Sequence, residues 1–111
     1  MSSDMSSAKL IVAYPPPVDV AAFEKVYVEE HVPLAIAKLE GKTKIVATKI
    51  LASPHGKPPF YRVAEVHFPS LKVLEECAAS AGGRETLANA VKISSGGPPV
   101  IMVAEEDTFR F

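Results

Sequence analysis

The stretch Asp19–Leu39, DVAAFEKVYVEEHVPLAIAKL, decides how this chain folds. At about 3.6 residues per turn, Val20, Phe23, Tyr27, His31 and Leu34 share one stripe of a helix, with Lys25 and Glu29 opposite. Such a helix buries its stripe against a sheet, which carries a phenol and an imidazole inward. Tyr27 and His31 are one turn apart, close enough to serve one small site. Pro33 then interrupts the pattern, because it has no N–H for the carbonyl of Glu29 and disfavours α geometry at Val32. A kink is predicted just after His31, with a short helical continuation from Leu34 to Leu39. Two readings of the histidine follow. It can act with Tyr27 as an acid–base pair toward a carbonyl or enol, since imidazole titrates near neutrality. It can equally be a core histidine satisfied by a carbonyl freed at the kink.

Upstream of that stretch, Lys9–Tyr14 (KLIVAY) is too short for a buried helix and predicts a buried strand, stopped by Pro15-Pro16-Pro17. Asp19 is placed to cap the helix and Gly41 to close it. Downstream, Lys42–Ala52 alternates and is β-branched, the second strand. Ser53–Pro59 is a loop, and Phe60–Phe68 (FYRVAEVHF) the third strand. Ser70 caps a second helix whose inward stripe is Leu71, Leu74, Cys77, Ala78 and Ala81. Gly82-Gly83 should break it, with Arg84–Ile93 resuming as a short helix that points Leu87, Ala88 and Val91 inward. Val100–Ala104 is the last strand. The order β-α-β-β-α-β predicts an α+β, ferredoxin-like domain over residues 9–111, after a frayed tail over residues 1–8. Right-handed crossovers put both helices on one sheet face. The bare face is apolar enough to require a partner sheet, so a homodimer is expected.

Composition narrows the function classes. The 111 residues fit one domain with a modest core, and the net charge of −1 comes from interspersed signs. Neither nucleic acid nor an anionic membrane is an expected partner, because both call for a basic patch. No apolar run approaches the ~20 residues of a membrane span. Cys77 is the only cysteine, which excludes an internal disulfide and a thiolate metal cluster and fits a reducing cytoplasm. The opening MSSDMSSA lacks the basic and apolar regions of a secretory signal. His31, His55 and His67 have no metal-ligand spacing, so neither a metal nor another cofactor is expected.

Strand parity assigns the remaining candidates. On the third strand, Phe60, Arg62, Ala64, Val66 and Phe68 form the more apolar set and should face the helices, leaving Tyr61, Val63, Glu65 and His67 for the partner sheet. Arg62 then either enters the covered core, where it must be paired or bind an anion, or reaches past the edge to solvent. On the first strand, Lys9, Ile11 and Ala13 are assigned to the helix side. Arg62 and Lys9 are thus candidates to hold a developing oxyanion, and Phe23 and Leu34 to line the substrate.

With Tyr27, His31, Val32, Pro33 and Leu34 in place, the chain resembles the EthD family of dimeric α+β barrels. The features that match are KLIVAY with its proline-rich turn, YVEEHVPLA, FYRVAEVHF and the A-S-x-x-G-R helix break at Ala79–Arg84. The family is named after an accessory protein of ether degradation by a cytochrome P450 system. The resemblance implies a small homodimer with a cavity between sheet and helices, a loose oxidoreductase association, and His31 and Tyr27 in that cavity. It also implies kinship with oxygenases, lactone isomerases and cyclases that need no cofactor. The cyclase type uses a Tyr and a His on its second helix, where this chain has Cys77 and Gly83.

Overall fold

The computed structural model describes residues 7–111. It contains β1 (Ala8–Tyr14), α1 (Val20–Val26), a π-helical turn (Tyr27–His31), α2 (Val32–Lys38), β2 (Lys44–Lys49), β3 (Arg62–Phe68), α3 (Leu71–Ala79), α4 (Ala81–Ile93) and β4 (Val100–Glu105). The strands form one antiparallel sheet in the order β2-β3-β1-β4, the ferredoxin-like arrangement. The frayed tail expected over residues 1–8 lies outside the described residues up to Ser6, and Ala8 already opens β1, where it is buried. Among the described residues, no helix is long and apolar enough to cross a membrane.

The main departure lies in the opening helix. Asp19 caps it as expected, accepting from the Ala22 N–H at 3.0 Å. Instead of kinking at Pro33, however, the chain widens one turn earlier. The Val32 N–H reaches back five residues to the Tyr27 carbonyl, and Pro33 falls in the first turn of α2, where its missing N–H costs nothing. The extra residue in that turn redirects the buried stripe to Phe23, Tyr27, His31, Ala35 and Leu39. Leu34 is only partly buried, and Val20 is exposed.

The second helical segment is corrected as well. The break falls at Ser80, whose hydroxyl caps α4 by accepting from the Gly83 N–H at 3.0 Å. The two glycines belong to the first turn of α4. A Cβ on Gly82 would sit 2.5 Å from the Lys38 carbonyl oxygen, and one on Gly83 would overlap the Cys77 carbonyl. They are glycines because helix ends meet there. Gly83, Thr86 and Ala90 face inward, whereas Ala88 and Val91 are exposed.

Register settles the sheet faces. Leu10, Val12 and Tyr14 pair with Val66, Ala64 and Arg62, and this set faces the helices. The assignment of β3 therefore holds from Arg62 to Phe68. Tyr61, expected on the partner face, instead meets Phe23 edge-on at 6.0 Å on the helix side, and Phe60, expected on the helix side, lines a groove with Val63. Both precede the strand, so its alternation does not reach them. The assignment of Lys9, Ile11 and Ala13 is reversed, because directly paired residues share a face and these lie opposite His67, Glu65 and Val63. The helix-free face reads Lys44, Val46 and Thr48 on β2, then Val63, Glu65 and His67, then Lys9, Ile11 and Ala13, then Val100, Met102 and Ala104 on β4.

Candidate active site

His31 leaves the π-helical turn pointing toward the sheet and is only 7% exposed. Its Nδ1 lies 2.7 Å from Asn89 Oδ1, an oxygen that can only accept, so Nδ1 carries the proton. Nε2 then presents its lone pair to Tyr14 Oη at 3.3 Å, and the phenol donates. The hydrogen-bond network thus assigns one tautomer to the ring: anchored firmly on α4, more loosely on β1. Burial pushes the imidazole below its ordinary range, against the opposing effect of the Asn89 bond. Burial also pushes the Tyr14 phenol well above its usual value. At neutral pH both groups are uncharged, which suits a base and a donor set side by side.

Tyr27 does not hydrogen-bond the histidine. It stacks on it, with centroids 5.8 Å apart and planes at 21°, and Phe23 stacks on Tyr27 at 5.4 Å and 16°. Tyr14 meets Tyr27 edge-on at 5.5 Å. The expected pair is therefore a trio, in which Tyr27 braces the imidazole and Tyr14 addresses its nitrogen. Burial raises the Tyr27 phenol too, with Arg62 opposing.

Arg62 reaches the helix side, as parity required. It gives Nη2 and Nε to Glu24 Oε1 and Oε2 at 2.7 and 2.9 Å, and its guanidinium carbon stands 5.0 Å from the Tyr27 ring centre. The guanidinium holds the Glu24 carboxyl below the usual range. This cation already has a bidentate partner. Lys9 is on the wrong face for the site: its ammonium bonds Glu65 at 2.8 Å, beside His67 and Glu106, because it shares the parity of His67.

A small cavity of about 30 Å³ opens against His31, with Tyr14, Tyr27 and Thr86 on its wall and otherwise apolar side chains, Leu39 and Ala35 among them. It has room for one or two water molecules. Phe23 and Leu34 do not line it; Phe23 supports Tyr27 from behind, and the π turn swings Leu34 aside. Cys77 is buried, with its thiol raised by burial, and behaves as a small core residue. Among the described residues no cluster of three metal-ligating side chains occurs. Tyr14 and Asn89 are the members that sequence reasoning missed. Tyr14 had one signal, the end of an inward-facing strand register; a lone Asn on a helix had none.

Comparison with known proteins places the fold in a family. The EthD domain pattern matches residues 15–92, a span that includes Tyr27, His31, Arg62 and Asn89. An uncharacterized 11.0 kDa protein from the thcB–thcC intergenic region of Rhodococcus erythropolis is 28% identical over 98 residues, 88% of this chain and 94% of its own length. The crystal structure of an EthD-family protein from Bacillus halodurans superposes with a TM-score of 0.81 at 28% identity, covering 91% of this chain and 99% of that one. A dimeric protein of ferredoxin-like fold from Bacteroides fragilis shares the architecture at a TM-score of 0.61 and 10% identity, covering 91% and 96% of the two chains. The matched span runs from the turn after β1 almost to the end of α4 and carries His31 with the helices around it, so this chain belongs to the EthD domain family.

Proposed function

We propose that the protein is a cytoplasmic homodimer that binds a small, largely apolar oxygenated molecule under the π-helical turn and moves a proton on it with His31. The observation that carries this reading is the tautomer: Asn89 fixes the proton on Nδ1, so Nε2 is a neutral base beside a phenol that donates. A ligand carbonyl that accepts from Tyr14 Oη can lose a neighbouring C–H proton to Nε2, its electron pair shifting onto the oxygen that Tyr14 holds. Tyr27 keeps the imidazole in plane by stacking. Such a proton transfer is a first step shared by cofactor-independent oxygenation and lactone isomerisation, the chemistries the family resemblance favours. π-helical turns of this kind occur often at functional sites, which supports the same location. The homodimer is supported by the uncovered apolar rows of the helix-free face and by the dimeric state described for the Bacteroides relative.

A second reading rests on the cavity. At about 30 Å³ it is far below the ~300 Å³ of a ligand pocket, and both ring nitrogens of His31 are satisfied without a ligand. An accessory or carrier module whose Tyr14–His31–Asn89 chain only fixes the packing would look the same. The experiment that separates the two is a thermal-shift screen of a metabolite panel against wild type, His31→Ala and Tyr27→Phe. The catalytic reading expects a compound that stabilises wild type and loses its effect in His31→Ala. If His31→Ala melts far lower and still binds that compound normally, the histidine is scaffolding.

A further inference from the structure

We infer that the site beside His31 selects an uncharged ligand, whose carbonyl or hydroxyl oxygen enters between Tyr14 Oη and His31 Nε2. The inference rests on the reading of this cavity as a ligand site and adds the charge class of what it takes. Three observations carry it. The first is the asymmetry of the histidine's two bonds. Its link to Asn89 is 2.7 Å and its link to Tyr14 is 3.3 Å. The looser bond is the one that can be parted, and parting it leaves the ring held by Asn89 and by Tyr27 stacked on its face.

The second is that, among the described residues, no free counter-charge lines the cavity. Arg62 is the cation in contact with Tyr27, and both oxygens of Glu24 occupy it. It lies behind the Tyr27 ring and outside the cavity wall. Lys9, the other expected anion holder, is on the far face of the sheet with Glu65. A ligand carboxylate would therefore be buried among Leu10, Val12, Ala35 and Leu39 with no ion to pair with. Burying an unpaired carboxylate is far more costly than burying a carbonyl that keeps one hydrogen bond.

The third is the state of the pair itself. Burial keeps the imidazole deprotonated and the phenol protonated, so the opening offers one donor and one lone pair and no net charge. That combination matches a ketone, aldehyde, ester or phenol better than any anion.

Acetophenone and benzoate, of nearly equal shape and opposite charge class, test this directly. Each is titrated into the labelled protein while the side-chain signals of His31 are followed by NMR, in wild type, in Tyr14→Phe and in Leu39→Ala, which enlarges the cavity. The expected result is that acetophenone shifts the His31 signals and binds at least about tenfold more tightly than benzoate. Tyr14→Phe should weaken acetophenone while leaving benzoate unchanged. Benzoate binding at His31 as tightly as acetophenone would overturn the charge selection and leave the ligand site standing. Acetophenone binding that ignores Tyr14→Phe would overturn the placement of its oxygen. If neither compound reaches His31, even in Leu39→Ala, both the inference and the ligand-site reading fall.

Discussion

A histidine kept neutral by burial makes a fold sensitive to acid, and His31 is one. The unfolded chain takes up a proton at a pH where the folded one does not. Above about pH 6.5, the ordinary imidazole value, the group contributes no pH dependence; below it stability falls, levelling off only once the folded imidazole is itself protonated. Glu24 and Glu65 are held low by Arg62 and Lys9, so their contributions are present above the ordinary carboxylate value of 4.5 and are lost as the pH falls below it. The histidine's window opens first as the pH falls, and the carboxylates add theirs only below about 4.5. Calorimetric melting temperatures of His31→Gln should therefore be flatter than wild type between about pH 7 and about pH 5. Replacing Asn89 with Leu leaves a buried Nδ1–H without its acceptor and should cost about 1–3 kcal/mol in urea denaturation. The nitrogen shifts of the ring should report loss of the single tautomer. The histidine was legible in sequence because it lies on the stripe of its own helix. Its partners were not, because Tyr14 and Asn89 lie 17 and 58 residues away and only the folded sheet and helix bring them there.

At the scale of the element, the spacing of the buried stripe explains the π turn. Phe23, Tyr27, His31, Ala35 and Leu39 recur every four residues. In a regular α-helix each such step drifts by about 40°, so four steps would carry Leu39 about 160° off the sheet. Widening one turn by a residue takes back about 100° of that drift. The sequence reading assumed a regular 3.6-residue period and therefore ended the stripe at Leu34; Pro33 was visible, but the turn that accommodates it was not. Deleting Val28, which is exposed, should close the turn to α geometry yet keep Ala35 and Leu39 facing the sheet, since fifteen regular steps also leave Leu39 about 60° from Phe23. Stability in urea denaturation should stay close to that of wild type. Truncating the buried Leu39 to Ala, by contrast, should cost at least about 2 kcal/mol in the same measurement. The glycine pair at the start of α4 misled in the other direction. Gly82-Gly83 reads as punctuation, yet it marks the place where α4 approaches Lys38 and Cys77 too closely for a Cβ.

For the whole molecule, alternation of strand and helix patterns was enough to give the topology, since short connections and right-handed crossovers leave few alternatives. The face assignment needed one more thing, the pairing register, and without it β1 was turned over while β3 was right. The helix-free face then combines apolar rows, with Val46, Ile11, Met102, Val63 and Val100, and a polar corner where Lys9, Glu65, His67 and Glu106 meet. A twofold partner laid on that face is the expected assembly, burying more than about 1,200 Å² in a specific dimer. Sedimentation at micromolar concentration should give a dimer for wild type. Ile11→Glu and Met102→Lys, each placing a charge in the apolar rows, should give monomers with little change in secondary structure. A wild-type monomer, or a dimer indifferent to both substitutions, would remove this face as the interface.

The last strand carries a risk of its own. β4 stands at the edge of the sheet, and Val100, Ile101, Met102 and Val103 are all at least 40% exposed. Four consecutive apolar residues with an unpaired backbone edge form a template on which like strands can stack without end. Pro98 and Pro99 stand immediately before this run and Glu105, Glu106 and Asp107 after it, a stiff stop on one side and repelling charges on the other. Neutralising Glu105 and Asp107 to Gln and Asn should speed aggregation on mild heating, followed by light scattering, while the melting temperature stays nearly the same. The flanks of β4 would then be guarding solubility, a role that no folded-state contact reveals.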